Sequence, residues 1–277
     1  MCLILVGVQA RAGSRVLLLA NRDEFHARAA ARAAPWHEDA RVLGGRDLVA
    51  GGSWLAVRHD GRFAAVTNVR CGQPRTAPRS RGELVRDFVE GEMRAADYLD
   101  AVRDRFDQYS PFNLIVGDAE QVLALDGVSR TIEPLSAGLH AISNGALDDH
   151  WPKMQTLRQH AAQCLRQSPD PSALLDLLRD TTTAPDAQLP DTGFGLERER
   201  LLSPIFIVGE HYGTRASTLL EIGEDGRVDL IERSFGPHGV HTATSAWRHA
   251  ADDSAWCAMR IEDGAQGISA EAETRHC

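Results

Sequence analysis

Cys2 is the first residue of this chain whose type and position suggest chemistry. The initiator methionine is normally removed when the second residue is small, and the mature chain would then carry a thiol and a free α-amine on one residue. Such an amine titrates near about pH 7.7–8 and can act as the base for its own nucleophile. We therefore predict that Cys2 is a nucleophile. The simpler alternative is that Cys2 is a small apolar residue that begins a strand.

A run of four polar residues ends the second apolar segment of the chain, and it consists of Asn21, Arg22, Asp23 and Glu24. An arginine beside a thiol lowers its pKa and favours the thiolate. A carboxylate can bind and orient the α-ammonium group, and the sequence leaves open whether Asp23 or Glu24 does so. The alternative is a charged strand end that forms an ion pair at the surface.

Paired strands are predicted to bring these residues together. Residues 2–8 and 16–20 are apolar runs on either side of a glycine-containing turn, which is typical of a β-hairpin. In such a hairpin, residues 21–24 lie level with Cys2 or just beyond it. Residues 51–57 and 63–69 repeat the pattern around a turn at 59–61.

Helices follow these strands, and the first begins at a capping-box pattern formed by Ser80 and Glu83. Further helices are predicted at 98–106, 151–167 and 171–180, and further strands at 112–116, 122–125, 138–144, 204–208, 214–222 and 228–232. Segregated runs of strands and helices with tight turns favour a layered α+β fold with mainly antiparallel sheets. Residues 1–236 are predicted to form this domain, and residues 237–277 an irregular C-terminal tail that can be removed after Gly236 with the fold intact.

The composition excludes several classes of protein. The chain has 277 residues, 43% hydrophobic content and a net charge of −9, which favours a globular protein and argues against nucleic-acid binding. No apolar run approaches the roughly 18 residues of a membrane span. The five cysteines form no CxxC pair and no tight cluster with histidine, so we predict no metal site and a reducing compartment, the cytoplasm.

Nine motifs in a fixed order make the chain recognisable. They are Met-Cys at 1–2, NRDEF at 21–25, GGSWL at 51–55, TNVR at 67–70, SRGELV at 80–85, NLIVGD at 113–118, ISNG at 142–145, SPIFI at 203–207 and YGTRAST at 212–218. Over residues 1 to about 235 the chain resembles the NRDE family, also called the TANGO2 (transport and Golgi organisation 2) family. The resemblance implies a four-layer αββα fold of the N-terminal nucleophile hydrolase type, with Cys2 at the nucleophile position. It also implies a connection with haem trafficking and with acyl-CoA or lipid metabolism.

The nearest chemistry that the resemblance implies is that of cysteine N-terminal nucleophile amidases, such as penicillin V acylase and bile-salt hydrolase. Their first hairpin ends in an arginine, followed a few residues later by Asp-Phe. Here Glu24 and Phe25 take the Asp-Phe place, Asn21 stands where the arginine belongs, and Arg22 is displaced by one residue. On a strand, a slip of one residue turns a side chain to the opposite face.

The remaining candidate site residues are asparagines and arginines near strand ends. Asn68 and Asn144 are predicted to donate hydrogen bonds to a tetrahedral oxyanion, each contributing about 3–4 kcal/mol, or else to cap their strands. Arg215 resembles the distal arginine of the amidase site, and its alternative is a solvated residue at a strand start. The predicted substrate-binding residues are Asn21, Arg70 and Arg81.

Two functions are consistent with these residues. The first is a cysteine N-terminal nucleophile hydrolase-like protein that cleaves an amide or thioester of an acylated small molecule and requires no cofactor. The second is a non-catalytic protein that binds and traffics haem or an acyl ligand on the same scaffold. The predicted partner is therefore a small acyl ligand or haem, without nucleic acid or a membrane span, and the sequence leaves a homo-oligomer open.

Overall fold

The computed structural model of the protein describes residues 2–70, 72 and 77–260. Within them, two antiparallel sheets of seven strands each stack face to face. The first sheet contains, in spatial order, β10 (Gly138–Ile142), β1 (Cys2–Arg11), β2 (Ser14–Phe25), β11 (Tyr212–Gly223), β12 (Val228–Phe235), β13 (His241–His249) and β14 (Cys257–Ala258). The second sheet contains, in spatial and chain order, β3 (Ala30–Pro35), β4 (Val42–Asp47), β5 (Leu55–Arg58), β6 (Phe63–Asn68), β7 (Phe112–Gly117), β8 (Val122–Leu125) and β9 (Ile132–Pro134).

Helices cover the outer face of each sheet. The second sheet packs against α1 (Arg81–Glu90) and α2 (Ala95–Asp104), and the first against α3 (Pro152–Leu165) and α4 (Pro171–Asp176). A short helix, α5 (Leu196–Leu201), follows the loop after α4. This arrangement confirms the predicted four-layer αββα sandwich with antiparallel sheets. None of the helices in the described part of the chain is long and apolar enough to cross a membrane.

The central strands are apolar on both faces because each sheet has a layer on either side. Along β1, Ile4 and Val6 pack into the core between the two sheets, whereas Leu3 and Leu5 pack against the helices that cover the first sheet. Successive side chains of a strand point to opposite faces, so a strand buried on both sides has no polar alternation. This explains the unbroken apolar run at the start of the sequence.

The register of the first hairpin brings the candidate residues together. Cys2 lies directly opposite Arg22, as the hairpin prediction required. On its other side, β2 pairs with β11, where Thr214 lies opposite Asp23 and an irregularity in the register includes Arg215. The polar end of β2 therefore lies between the start of β1 and the start of β11, at one end of the first sheet.

The Gly-Gly-Ser motif at 51–53 allows close packing against the start of α1. Gly52 has a φ of +76°, and a Cβ atom there would lie 2.2 Å from the carbonyl oxygen of Gly82. The Ser53 amide donates a hydrogen bond to that same oxygen at 3.1 Å. The predicted capping box is present at this helix start, with Ser80 and Glu83 each bonding the other's backbone. The glycines thus fix the approach of β5 to α1.

A strand is predicted at residues 204–208, but they form none, although residues 204–207 are buried. The Phe206 amide donates to the carbonyl of Asp180 at 2.7 Å, and the Ile207 amide donates to the Thr214 hydroxyl at 2.9 Å. A loop and a side chain thus take the hydrogen bonds that a strand ladder would have taken. The apolar composition of this segment agrees with the burial of residues 204–207 but did not lead to a strand.

The segment after residue 236 also differs from the prediction of an irregular tail. The strand β13 pairs with β12 from Phe235 opposite His241 to Val228 opposite His249, and β14 adds a further short strand. Trp256 packs into the core between the sheets. This segment is ordered because the free edge of β12 satisfies its backbone groups. Residues 261–277 of the predicted tail lie outside the described residues.

Candidate active site

Cys2 lies at the edge of the core between the sheets and lines a cavity of about 370 Å³. Burial raises the pKa of its thiol, while Arg22 and the backbone amide of Asp23 act in the opposite direction. Other residues that line this cavity are Glu24, Ser53, Trp54, Asn68, Ser80 and Arg81. The predicted nucleophile is therefore accessible to a small ligand.

Arg22 faces the same cavity and is held by an aromatic ring. Its guanidinium lies 4.3 Å from the centre of the Trp54 ring. The indole in turn rests on Gly45, where a Cβ atom would lie 2.2 Å from the ring. Between described residues, no ion pair includes Arg22. Its charge is thus in direct contact with no carboxylate of the described residues, and it acts at a distance on Glu232 and on Cys2.

The two candidate carboxylates occupy different environments. Asp23 is 1% exposed, and its Oδ1 accepts a hydrogen bond from the Thr214 hydroxyl at 2.7 Å. Burial raises the pKa of Asp23, and the positive charge of Lys153 opposes this shift. Glu24 instead lies at the rim of the cavity, where it accepts from the Phe25 amide at 2.8 Å. Asp23 is therefore the carboxylate in a buried position beside Cys2.

Lys153 is a buried charged residue within electrostatic reach of Cys2 and Asp23 that the sequence analysis did not single out. It lies on α3, is 4% exposed, and donates a hydrogen bond from Nζ to the carbonyl of Leu202 at 3.1 Å. Burial lowers its pKa to about 8 with the help of Arg70, whereas Asp23 and Cys2 raise it. The signal was present in the sequence, because this is the only lysine among 30 basic residues.

The two candidate oxyanion donors lie side by side but have different hydrogen-bond partners. The Asn144 side chain is fully buried, and its Nδ2 donates to the backbone carbonyl of Asn68 at 2.8 Å. Next to it, the Ser143 hydroxyl donates to the carbonyl of Cys2 at 3.0 Å. Asn68 lines the cavity, and its side-chain amide makes no hydrogen bond with the described residues. Asn68 can donate to a ligand, and Asn144 holds the neighbouring backbone in place.

Two of the predicted substrate-binding residues are engaged elsewhere. Arg70 forms a buried ion pair with Glu199 at 2.5 Å, and its guanidinium lies 5.0 Å from the ring centre of Trp151. Asn21 is fully buried, donates to two backbone carbonyls of the helical layer, and accepts from the Ser217 hydroxyl. Neither residue lines the cavity with Cys2. Arg70 and Asn21 instead hold together the parts of the structure that surround this cavity.

The last two arginines occupy different cavities. Arg81 lines the cavity with Cys2 and donates from Nη1 to the carbonyl of Pro111 at 3.2 Å. Arg215 donates to the carbonyls of Phe25 and Arg28, and it lines a second, neighbouring cavity. The structure therefore brings six predicted residues together around the first cavity, namely Cys2, Arg22, Asp23, Glu24, Asn68 and Arg81.

Comparison with known proteins identifies the family. The family model described as Transport and Golgi organisation 2 matches residues 1–237. This chain belongs to the TANGO2 family. It is 32% identical over 253 residues to the mouse Transport and Golgi organization 2 homolog, with 84% of this chain and 90% of that protein covered. It is 33% identical over 240 residues to the bovine homolog, with 80% and 87% covered.

One solved structure also aligns with this TANGO2-family chain. It is the Caenorhabditis elegans N-acylethanolamine-hydrolyzing acid amidase (NAAA) ortholog, with a TM-score of 0.45 and 15% sequence identity. The alignment covers 79% of this chain and 92% of that chain.

The geometry of β2 explains the NRDE motif of this TANGO2-family chain. Asn21 faces the helical layer, where it continues the row of Leu17 and Leu19. Arg22 faces the opposite side, towards the second sheet, as Cys2 does. Arg22, which is displaced by one residue from the amidase pattern, thus lies on the face of the strand that carries the thiol, whereas Asn21 lies on the opposite face. The alternation of the strand divides the motif into residues that hold the layers and residues that line the cavity.

Proposed function

We propose that this protein is a cysteine N-terminal nucleophile hydrolase that cleaves an amide or thioester of an acylated small molecule. The observation that supports this function is the position of Cys2, directly opposite Arg22 at a cavity and beside the buried Asp23. After removal of Met1, the α-amine of Cys2 emerges at the end of the strand. Asp23 lies one residue beyond the partner of Cys2, where it orients the neutral amine and stabilises the ammonium that forms when the amine takes the thiol proton.

In the first step, the α-amine takes the thiol proton and Sγ attacks the carbonyl carbon of the substrate. The charge of Arg22 stabilises the thiolate, and the Asn68 amide donates to the oxyanion. The tetrahedral intermediate collapses, and the α-ammonium gives its proton to the departing amine or thiol. Water, deprotonated by the same α-amine, then hydrolyses the thioester formed with Cys2 and regenerates the thiol.

The substrate fits a cavity of about 370 Å³ whose wall includes Arg22 and Arg81. We propose that Arg81 binds a carboxylate or phosphate group of the acyl compound, because the arginine fork matches both groups. A reducing compartment such as the cytoplasm would keep the Cys2 thiol free for this reaction.

The decisive experiment combines intact-mass spectrometry with alkylation and turnover. We expect Met1 to be absent, and iodoacetamide to modify Cys2 before the half-buried Cys164. Cys2→Ala is expected to abolish the hydrolysis of short acyl thioesters and acyl nitroanilides. The matched control Cys257→Ala changes an exposed cysteine and should retain it. Retention of Met1, or equal reactivity of Cys2 and Cys164, contradicts the proposed enzyme.

A second candidate function is the binding of an acyl ligand or haem without catalysis. It is favoured by burial, which raises the pKa of the Cys2 thiol, and by the Asn144 amide, which is already bonded to the backbone. Among the described residues that line the cavity there is one sulfur ligand, Cys2, and no histidine. A carrier of this kind would bind an acyl ligand equally well before and after the substitution Cys2→Ala. With haem, the variant would lose the Soret band that a thiolate ligand gives.

A further inference from the structure

A second cavity of about 230 Å³ lies next to the one that contains Cys2. The two cavities share Arg22 and Trp54, and Cys2 lines the first of the two. The second cavity lies where β3 of one sheet faces β2, β11 and β12 of the other. Its distinctive lining consists of three arginines, namely Arg22, Arg32 and Arg215.

In the part of the chain that the structure describes, these three guanidinium groups interact with carboxylates at a distance, Arg22 and Arg32 with Glu232 and Arg215 with Glu24. Within the described residues, no ion pair includes Arg22, Arg32 or Arg215. Arg215 donates from Nη1 to two backbone carbonyls, which are neutral. Burial lowers the pKa of Arg215, and the like charge of Arg22 lowers it further. Arg22 and Arg215 therefore lie within electrostatic reach of each other and repel.

One carboxylate, Glu232, lines the second cavity, and it offsets part of this charge because Arg22 and Arg32 both lower its pKa against the effect of burial. Glu232 is 2% exposed, and its Oε1 accepts from the Ala33 amide at 2.8 Å. Its Oε2 accepts from the Thr218 hydroxyl at 3.3 Å. Both oxygens are thus directed into hydrogen bonds with the two sheets. Even when Glu232 is ionised, three positive groups face one negative group, and the cavity carries excess positive charge.

We propose that the second cavity binds an oxyanion, a carboxylate or a phosphate group, and that the bound anion weakens the action of Arg22 on Cys2. Planar guanidinium forks match the oxygens of either group with two parallel hydrogen bonds. The anion neutralises the excess charge of the cavity. Because Arg22 belongs to both cavities, its charge is then shared between the anion and the Cys2 thiolate.

The first test measures binding of inorganic phosphate and of succinate by calorimetry at constant ionic strength. Arg32 is exposed, so Arg32→Gln should keep the fold, and Arg198→Gln on α5 makes the same charge change at an exposed position outside the cavity. The unaltered chain and Arg198→Gln should bind one equivalent of at least one probe. Arg32→Gln should bind it about tenfold more weakly, about 1.4 kcal/mol.

Equal affinity of Arg32→Gln and Arg198→Gln, or the absence of saturable binding by either probe, overturns the proposed anion site. A loss caused by Arg81→Gln instead of Arg32→Gln would place the anion in the cavity with Cys2, and also overturns it. The comparison of the two probes distinguishes a phosphate from a carboxylate site. None of these measurements depends on turnover, so the proposed hydrolase can fail while the anion site stands.

The second test measures coupling to the thiol. The iodoacetamide alkylation rate of the Cys2 peptide, followed by mass spectrometry below the thiol pKa, should fall about threefold when the binding probe saturates, because half a pKa unit changes the thiolate fraction by that factor. The same fall is expected in Arg198→Gln, and a smaller one in Arg32→Gln at the same probe concentration. A constant rate in the unaltered chain at saturation overturns the coupling through Arg22.

Discussion

At the scale of single residues, the most unusual group is the buried amine of Lys153, which lies in a chain whose other 29 basic residues are arginine. Burial lowers its pKa from 10.5 to about 8. Because there is one lysine, isotopic labelling with ¹³C-lysine gives a single side-chain signal. We predict that this signal titrates with a midpoint at about pH 8. A midpoint above 10 would contradict the buried position.

The lowered pKa of Lys153 also makes the stability of the folded state depend on pH. Between about pH 8 and pH 10.5 the Lys153 amine stays protonated in the unfolded chain but has lost its proton in the folded chain. The unfolded state therefore binds more protons, and the contribution of this group to stability increases as pH rises. Relative to Lys153→Met, the unaltered chain should therefore gain unfolding free energy over that range, of the order of 3 kcal/mol for a shift of this size. Urea unfolding at both pH limits measures the difference.

Asp23→Asn serves as the control for the charge of Asp23. The carboxylate raises the pKa of Lys153, so its removal should move the lysine midpoint below that of the unaltered chain. An unchanged midpoint in Asp23→Asn would mean that the two groups do not interact. This control separates the effect of the carboxylate from the effect of burial.

The sequence allowed residues 21–24 to be placed level with Cys2 or just beyond it, because the turn of a hairpin fixes its register, and the structure identifies Arg22 as the residue opposite Cys2. It did not allow the role of Arg70 to be predicted. Its partner Glu199 is 129 residues away, and no local pattern reports such a pair. Asn21 is similar, since its amide bonds carbonyls of residues 178 and 205. The spacing of residues along the first hairpin was thus sufficient to predict the neighbours of Cys2. The contacts of Asn21 and Arg70 depend on residues far away in the sequence, so their structural roles could not be predicted.

At the scale of secondary structure elements, burial was easier to predict than pairing. The strand β3 is rich in alanine, which is disfavoured in strands, yet it pairs with β4 and faces β12 and β13. Residues 204–208 show the reverse case: the segment is apolar, yet it forms no strand. The amides of Phe206 and Ile207 donate instead to a loop carbonyl and to a hydroxyl. In both segments the tertiary partner overrides the local preference.

The segment that contains β13 gives the prediction at this scale. A chain that ends at Gly236 loses the partner of β12, the buried Ala246 and the Trp256 ring in the core between the sheets. We expect this deletion to be insoluble, or to lower the melting temperature by more than about 8 °C. Trp256→Ala alone should cost about 3–5 kcal/mol.

The matched control for Trp256→Ala is Val240→Ala, which changes an apolar side chain of the same segment that is 60% exposed. We expect this control to change the unfolding free energy by less than about 0.5 kcal/mol. A soluble chain ending at Gly236 with an unchanged melting temperature would show that β13 adds nothing to the fold. Thermal unfolding of the three variants decides between these outcomes.

At the scale of the whole molecule, the charge near Cys2 opposes the charge of the chain. The net charge is −9, whereas the cavity that contains the thiol is lined by more arginines than carboxylates, namely Arg22, Arg28, Arg79 and Arg81 against Asp23, Glu24 and Asp47. Charges closer than a Debye length, about 8–10 Å in physiological salt, dominate over the distant remainder. The local potential at Cys2 is therefore expected to be positive on a negatively charged protein.

Iodoacetate and iodoacetamide test this expectation, because they deliver the same chemistry with and without a negative charge. For each cysteine, the ratio of the two alkylation rates removes differences in access and thiol pKa. We predict that this ratio is about fivefold higher at Cys2 than at Cys164, which is half-buried and has Asp170 nearby, a difference of about 1 kcal/mol. Arg22→Gln should reduce the ratio at Cys2 and leave Cys164 unchanged, and 1 M salt should bring the two sites together. Equal ratios at low salt would mean that the arginines do not set the potential at the nucleophile, and a substrate with an anionic group would then have no electrostatic reason to enter this cavity.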